Sequence, residues 1–189
     1  MTEARPGIRH RLSVSDYQRM GAAGIPGDDC RTELIDGELF EMAPIGTGHA
    51  WVVRTLINLL APAVAGKALL DAQNPLVLGG HSQPQPDLLL LRPRPDNYRS
   101  AHPRPEDVWL LIEVADSSLR FDREVKVPLY ARHGVAEVWL FDLAQRCLEI
   151  HRDPQPDYGD YRTVERRHGG TVACQGLPGI EVDLGKVFR

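Results

Sequence analysis

The 189-residue chain carries 22 basic and 26 acidic side chains, a formal net charge of −4, with 42% hydrophobic and 25% charged residues. That balance suits one soluble globular domain with a sizeable core. It excludes wholesale disorder, a collagen-like repeat and a protein that coats nucleic acid through bulk positive charge.

In chain order, Arg11 to Gly24 is predicted to form a short helix, capped by Ser13 or Ser15 and ended by Gly24, Pro26 and Gly27. Glu33 to Met42 places Asp36-Gly37 between two short apolar runs, the signature of a hairpin whose turn needs positive φ. From Thr47 to Leu60, His49, Val53, Leu56 and Leu60 recur at helical spacing, and Pro62 and Gly66 are expected to limit the far end. Val52 to Leu60 is also the longest candidate span, but Arg54 and Asn58 interrupt it, far short of the roughly 18 apolar residues a bilayer requires. Ala68–Ala72, Leu76–Leu78 and Asp87–Leu91 read as strands, and Arg92–Pro105 as a surface loop rich in proline and arginine.

Val108 to Val114 is apolar on both alternating faces, which marks a strand covered on both sides. Val108, Leu110, Ile112 and Val114 are expected on one face, and Trp109, Leu111 and Glu113 on the other. A helix follows over Leu119–Arg132, capped by Ser117 or Ser118, accommodating Pro128 and stopped by Gly134. Ala136–Asp142 and Cys147–His151 are further strands, with weaker ones near Tyr161–Glu165 and Ile180–Val182. The order describes an α/β domain with a central mixed β-sheet flanked by helices. We read residues 1–189 as a single domain, its core at about 30–152 and a C-terminal strand extension at 153–189.

Cys30, Cys147 and Cys174 are widely separated and form no CxxC pair, so reduced thiols are expected. Met1 to Leu12 carries charge without an apolar stretch. No secretory signal is therefore expected, and the expected location is cytoplasmic. Only three of the 22 cations are lysines, Lys67, Lys126 and Lys186, so each can be weighed individually.

Glu113 is the sharpest anomaly, because a carboxylate inside such a strand is costly to ionise without a partner. A buried acid paired with an arginine or with backbone amides is the structural alternative. Asp87 follows Pro86 and opens the apolar run Leu88–Leu91; alone it reads equally as a strand-start aspartate. If the two strands are neighbours, two carboxylates approach in a partly dry place, and a divalent cation relieves their repulsion. Hard oxygen ligands with room for water favour magnesium or manganese. Asp122 and Lys126, four apart, stack on one helical face; a surface ion pair is the plain reading, a lysine reaching the site the functional one.

Pro86-Asp87, Glu113-Val114, Asp122, Lys126 and the block Tyr130 to Asp142 together resemble the Uma-two (Uma2) family of putative restriction endonucleases, within the PD-(D/E)XK nuclease superfamily. Glu33 to Glu38 and His49 are similar to it as well, so the resemblance covers about Ser13 to His151. It implies a restriction-endonuclease-like core and a magnesium- or manganese-dependent endonuclease acting on DNA. Asp87 and Glu113 would hold the metal, completed by the backbone carbonyl of Val114. The superfamily's usual lysine, two residues after the glutamate, is Ala115 here; Lys126 is its family-like substitute from the adjacent helix. Asp116-Ser117-Ser118 departs from the family's usual serine-proline.

Glu38 reads either as an exposed hairpin charge or as a further carboxylate near the metal. His49 reads as a satisfied helix-start histidine or as a phosphate contact or proton carrier. Tyr130, Glu137, Trp139 and Asp142 are assigned to packing. Arg92, Arg94, Arg99 and Arg104 read as a solvated loop or as phosphate contacts. Cutting two strands would suit a homodimer, with the hairpin or C-terminal strands as interface. The rival reading is a catalytically inactive nuclease-fold module for nucleic-acid binding or assembly. A serine hydrolase is disfavoured because no G-x-S-x-G elbow is present.

Overall fold

The computed structural model describes residues 10–27 and 30–189; most of the Met1–Leu12 segment lies outside them. The elements run α1 (Val14–Ala22), β1 (Thr32–Ile35), β2 (Glu38–Glu41), α2 (Thr47–Val64), β3 (Leu69–Ala72), β4 (Leu88–Leu91) and β5 (Val108–Ala115). They continue α3 (Leu119–Phe121), a π-helical stretch (Asp122–Lys126), α4 (Val127–Arg132), β6 (Glu137–Asp142) and β7 (Cys147–Gln155). The chain closes with β8 (Asp160–Arg167), β9 (Thr171–Ala173), β10 (Glu181–Asp183) and α5 (Leu184–Val187).

Six strands form one mixed sheet in the order β3-β4-β5-β6-β7-β8. Only β5 and β6 within it are parallel, and the connection between them is the α3–α4 crossover that parallel pairing requires. A core on one face joins Val52, Val53, Leu56 and Leu60 of α2 to Leu110, Ile112 and Val114 of β5 and to the C-terminal segment. The core on the other face joins Leu111 and Ala115 to Leu129, Tyr130 and Ala131 of α4. Covered on both sides, β5 can be apolar throughout.

The hairpin forms as expected, with Asp36 and Gly37 at φ of 49° and 83°, the conformation a two-residue primed turn demands. Ser13 caps α1 in a reciprocal box with Asp16. Several expectations change. Leu76–Leu78 is no strand, although Leu76 and Leu78 are fully buried. Helix α2 runs through Pro62 to Val64. Strand β7 extends to Gln155, and β8 belongs to the main sheet, so the sheet continues past residue 152.

Val108 also lies on the opposite face from Leu110, in the core with Leu111. The cause is a bulge: Leu90 pairs with Leu110 but Leu91 pairs with Val108, leaving Trp109 as the extra residue. An inserted residue reverses the alternation on one side of it.

The helix predicted over Leu119–Arg132 contains the π-helical stretch Asp122–Lys126 just before Pro128. Proline has no N–H for the carbonyl four residues back, and its ring crowds that carbonyl. Widening the preceding turn accommodates both. Among the described residues no helix is long and apolar enough to cross a membrane, and the three cysteines are free thiols.

Candidate active site

Strand pairing brings the two acids together. Leu88 of β4 pairs with Ile112 of β5, so Asp87, one residue earlier, arrives beside Glu113 on the antiparallel neighbour. Leu89 and Leu111 mark their shared face. The Val114 N–H donates to Asp87 Oδ2 at 2.8 Å. The Gln73 amide donates to Oδ1 at 3.3 Å, and His49 Nε2 from the first turn of α2 lies 3.0 Å from the carboxylate. Asp87 is thus held by a strand, a loop and a helix.

Glu113 is only 3% exposed. Its Oε1 receives the Tyr130 hydroxyl at 2.5 Å and lies 2.7 Å from Lys126 Nζ. Lys126, equally buried, also reaches Glu33 Oε2 at 3.4 Å. Glu33 is anchored in turn by the Gln85 N–H at 3.2 Å. The Ser118 hydroxyl does not cap its own helix but donates to Asp122 Oδ2 at 2.6 Å. Apart from Tyr130, which lies behind Glu113, these groups line one cavity of about 350 Å³ that also carries Phe40, Met42, Ile45 and Phe121.

The electrostatics follow from burial. Desolvation pushes the Glu113 carboxyl up to about 8 against the pull of Lys126, with Asp122 and Asp87 adding to the rise. Burial also raises Asp122. For Lys126, burial opposes the charge, but Glu113, Glu33 and Asp122 outweigh it and keep the amine protonated. The hydrogen bond to Asp87 raises His49 against its own desolvation. Even with Glu113 raised towards its neutral form, Glu33, Asp87 and Asp122 face a single ammonium and one imidazole, so acids outnumber bases in the site.

That surplus fits a hard divalent cation. Among the described residues no three or more His, Cys, Asp or Glu are preassembled as a metal cluster. Magnesium does not require one, since it binds through one or two carboxylates and keeps several waters. Asp87 and Glu113 are such a pair.

Of the residues singled out in the sequence, Asp87, Glu113, Lys126 and His49 converge on this cavity, as does Val114. Glu38 does not: it is exposed beside the hairpin turn and is absent from the cavity lining. Alternation does not separate the two acids, because Glu38 pairs with Ile35 and Glu33 with Phe40 on one face of the hairpin. Glu38 stands at the exposed turn end, while Glu33, further along that face, is buried against Lys126.

Tyr130, assigned mainly to packing, also touches Glu113. Glu137 does serve structure: Trp139, Arg152 and the Gln175 N–H all donate to it on the opposite face of the sheet. The arginine-rich loop lies at the far end of β4 and β5 from the acids. Its Arg92 stacks 3.5 Å over Trp109, and Arg94 is held by Asp96, Ser100 and the Ala101 carbonyl.

Comparison with known proteins bears on the family and the fold. The model of the family described as "Uma2: Putative restriction endonuclease" matches residues 14–185. Among solved structures, a putative nuclease belonging to DUF820 from Anabaena variabilis ATCC 29413 superposes with a TM-score of 0.72 at 15% identity. The match covers 94% of this chain and 97% of that one, and it establishes a shared fold. No match is found among curated proteins.

Proposed function

Because the chain belongs to the Uma2 family of putative restriction endonucleases, we propose that it is an endonuclease that hydrolyses phosphodiester bonds in DNA with a divalent metal ion. The observation that carries this reading is the convergence of Asp87 and Glu113 from adjacent strands, with Lys126 Nζ 2.7 Å from Glu113, in one cavity.

Asp87 and Glu113 would hold magnesium or manganese, with the Val114 carbonyl completing the set as the family resemblance implies. When bound, the ion supplies a Lewis acid and lowers the pKa of a bound water. The protein's own residues do the remaining work. His49, Gln73 and the Val114 N–H fix the orientation of Asp87. Lys126 offsets negative charge that accumulates on the phosphoryl oxygens, in a buried place where a fixed cation counts for more than in water. Its origin on the crossover helix, instead of at Ala115, keeps the ammonium beside Glu113.

The test is plasmid nicking with magnesium or manganese by the parent, Asp87→Asn and Glu113→Gln. Metal-dependent cutting by the parent and its loss in both variants is expected. Equal cutting by Asp87→Asn would show that the site is misassigned. DNA binding with no cutting by the parent would mark a non-catalytic module instead.

A further inference from the structure

The rim of the cavity differs sharply from its floor. At the mouth, exposed Arg31 is matched by exposed Glu41 and Asp116, so the entrance carries no positive surplus.

The mouth is instead apolar on one side. Phe40 of β2 and Phe121 of α3 bring their rings to 5.1 Å between centroids, tilted by 48°, and both line the cavity. Met42 and Ile45 continue this wall, and Ile45 is 45% exposed. The reactive groups lie deep beneath it, with Glu113 and Lys126 only 3% and 4% exposed.

An apolar aromatic wall gains binding from the faces of bases. In a duplex those faces are stacked and paired, and chemistry at a recessed site needs the strand taken out of that stack. Resting on the nuclease reading above, we infer that the site takes an unpaired DNA strand, with a base packed against Phe40, Phe121 and Ile45 while the adjoining phosphodiester descends to Asp87 and Glu113.

The experiment compares one labelled oligodeoxynucleotide as a free strand, as a full duplex and as a duplex with a central unpaired stretch. Binding is read by fluorescence anisotropy with calcium, and cleavage with manganese. The free strand and the unpaired stretch should bind and be cut at least about tenfold better than the duplex. Ile45→Ser, at an exposed position that folding does not depend on, should reduce strand affinity several-fold and leave duplex affinity unchanged. Phe121→Leu should reduce it further.

Equal or better binding of the duplex, or unchanged strand binding in both variants, overturns the inference. Strand-selective binding with no cleavage of any substrate would uphold the inference about the wall while refuting the hydrolase reading. Binding of neither form refutes both.

Discussion

The Lys126 ammonium lies 2.7 Å from Glu113 Oε1, although one residue belongs to a central strand and the other to the π-helical turn of the crossover. The pair is almost wholly buried, and Glu33 flanks it at 3.4 Å. Without Lys126, Glu113, already raised to about 8 by burial, stays protonated, so the loss is that of the hydrogen-bonded partner, about 1–3 kcal/mol. Lys126→Met should therefore lower the urea-unfolding free energy by that order and abolish metal-dependent cutting. The double variant Lys126→Met/Glu113→Gln should be more stable than Lys126→Met alone, by at least about 1 kcal/mol. Strict additivity would mean that the two groups do not interact.

Tyr130 should act on the site and not only on the core. Its hydroxyl donates to Glu113, so Tyr130→Phe removes a buried hydrogen bond to that carboxyl, an interaction of about 0.5–1.5 kcal/mol. Glu113 keeps Lys126 but loses its second anchor. Calorimetry should show weaker manganese binding in Tyr130→Phe, with the far-ultraviolet circular dichroism unchanged. Unchanged metal affinity would return Tyr130 to a packing role.

Glu137 offers the contrasting case. It sits on the face of β6 opposite the cavity and is 2% exposed, bound by Arg152, Trp139 and the Gln175 N–H. Glu137→Ala should destabilise the fold by about 3 kcal/mol, measured by denaturant titration. The folded fraction should keep the metal affinity of the parent. A loss of metal binding in folded protein would contradict the separation of the two faces.

Much of this was legible in the sequence. The hairpin turn at Asp36-Gly37 and the doubly covered strand β5 follow from local rules, and so does the meeting of Asp87 with Glu113 once their strands are neighbours. What escaped depends on information that is not local. The bulge at Trp109 reverses which face Val108 occupies, and it exists only because β4 pairs with β5. Glu33 was obscured because Glu38 pairs with Ile35 and so shares its face of the hairpin; the way the hairpin docks on the site, which is not local, buries Glu33 and leaves Glu38 at the exposed turn end. Leu76 and Leu78 alternate like a strand, but their backbone bonds go to Pro84 and Ser82 in a local loop. Tyr130 reads as an ordinary core tyrosine until the crossover helix is laid over β5.

His151 governs a pH dependence away from the site. Neither ring nitrogen has a hydrogen-bond partner among the described residues, and burial lowers its pKa below the ordinary 6.5, against the pull of Glu149. Below pH 6.5 the unfolded chain takes up a proton that the folded chain refuses, so unfolding is favoured as pH falls. The contribution to stability is complete above that range and declines beneath it, by at most about 1.4 kcal/mol per pH unit. Denaturation midpoints between pH 7.5 and 5 should fall less steeply in His151→Phe than in the parent. Parallel slopes would show that His151 does not titrate differently on folding.

The most direct measurement is anomalous diffraction from crystals soaked in manganese. A single strong peak between the carboxylates of Asp87 and Glu113, lost in Glu113→Gln crystals, is the predicted result. Manganese bound elsewhere, with those two carboxylates bare and plasmid still cut, would contradict it.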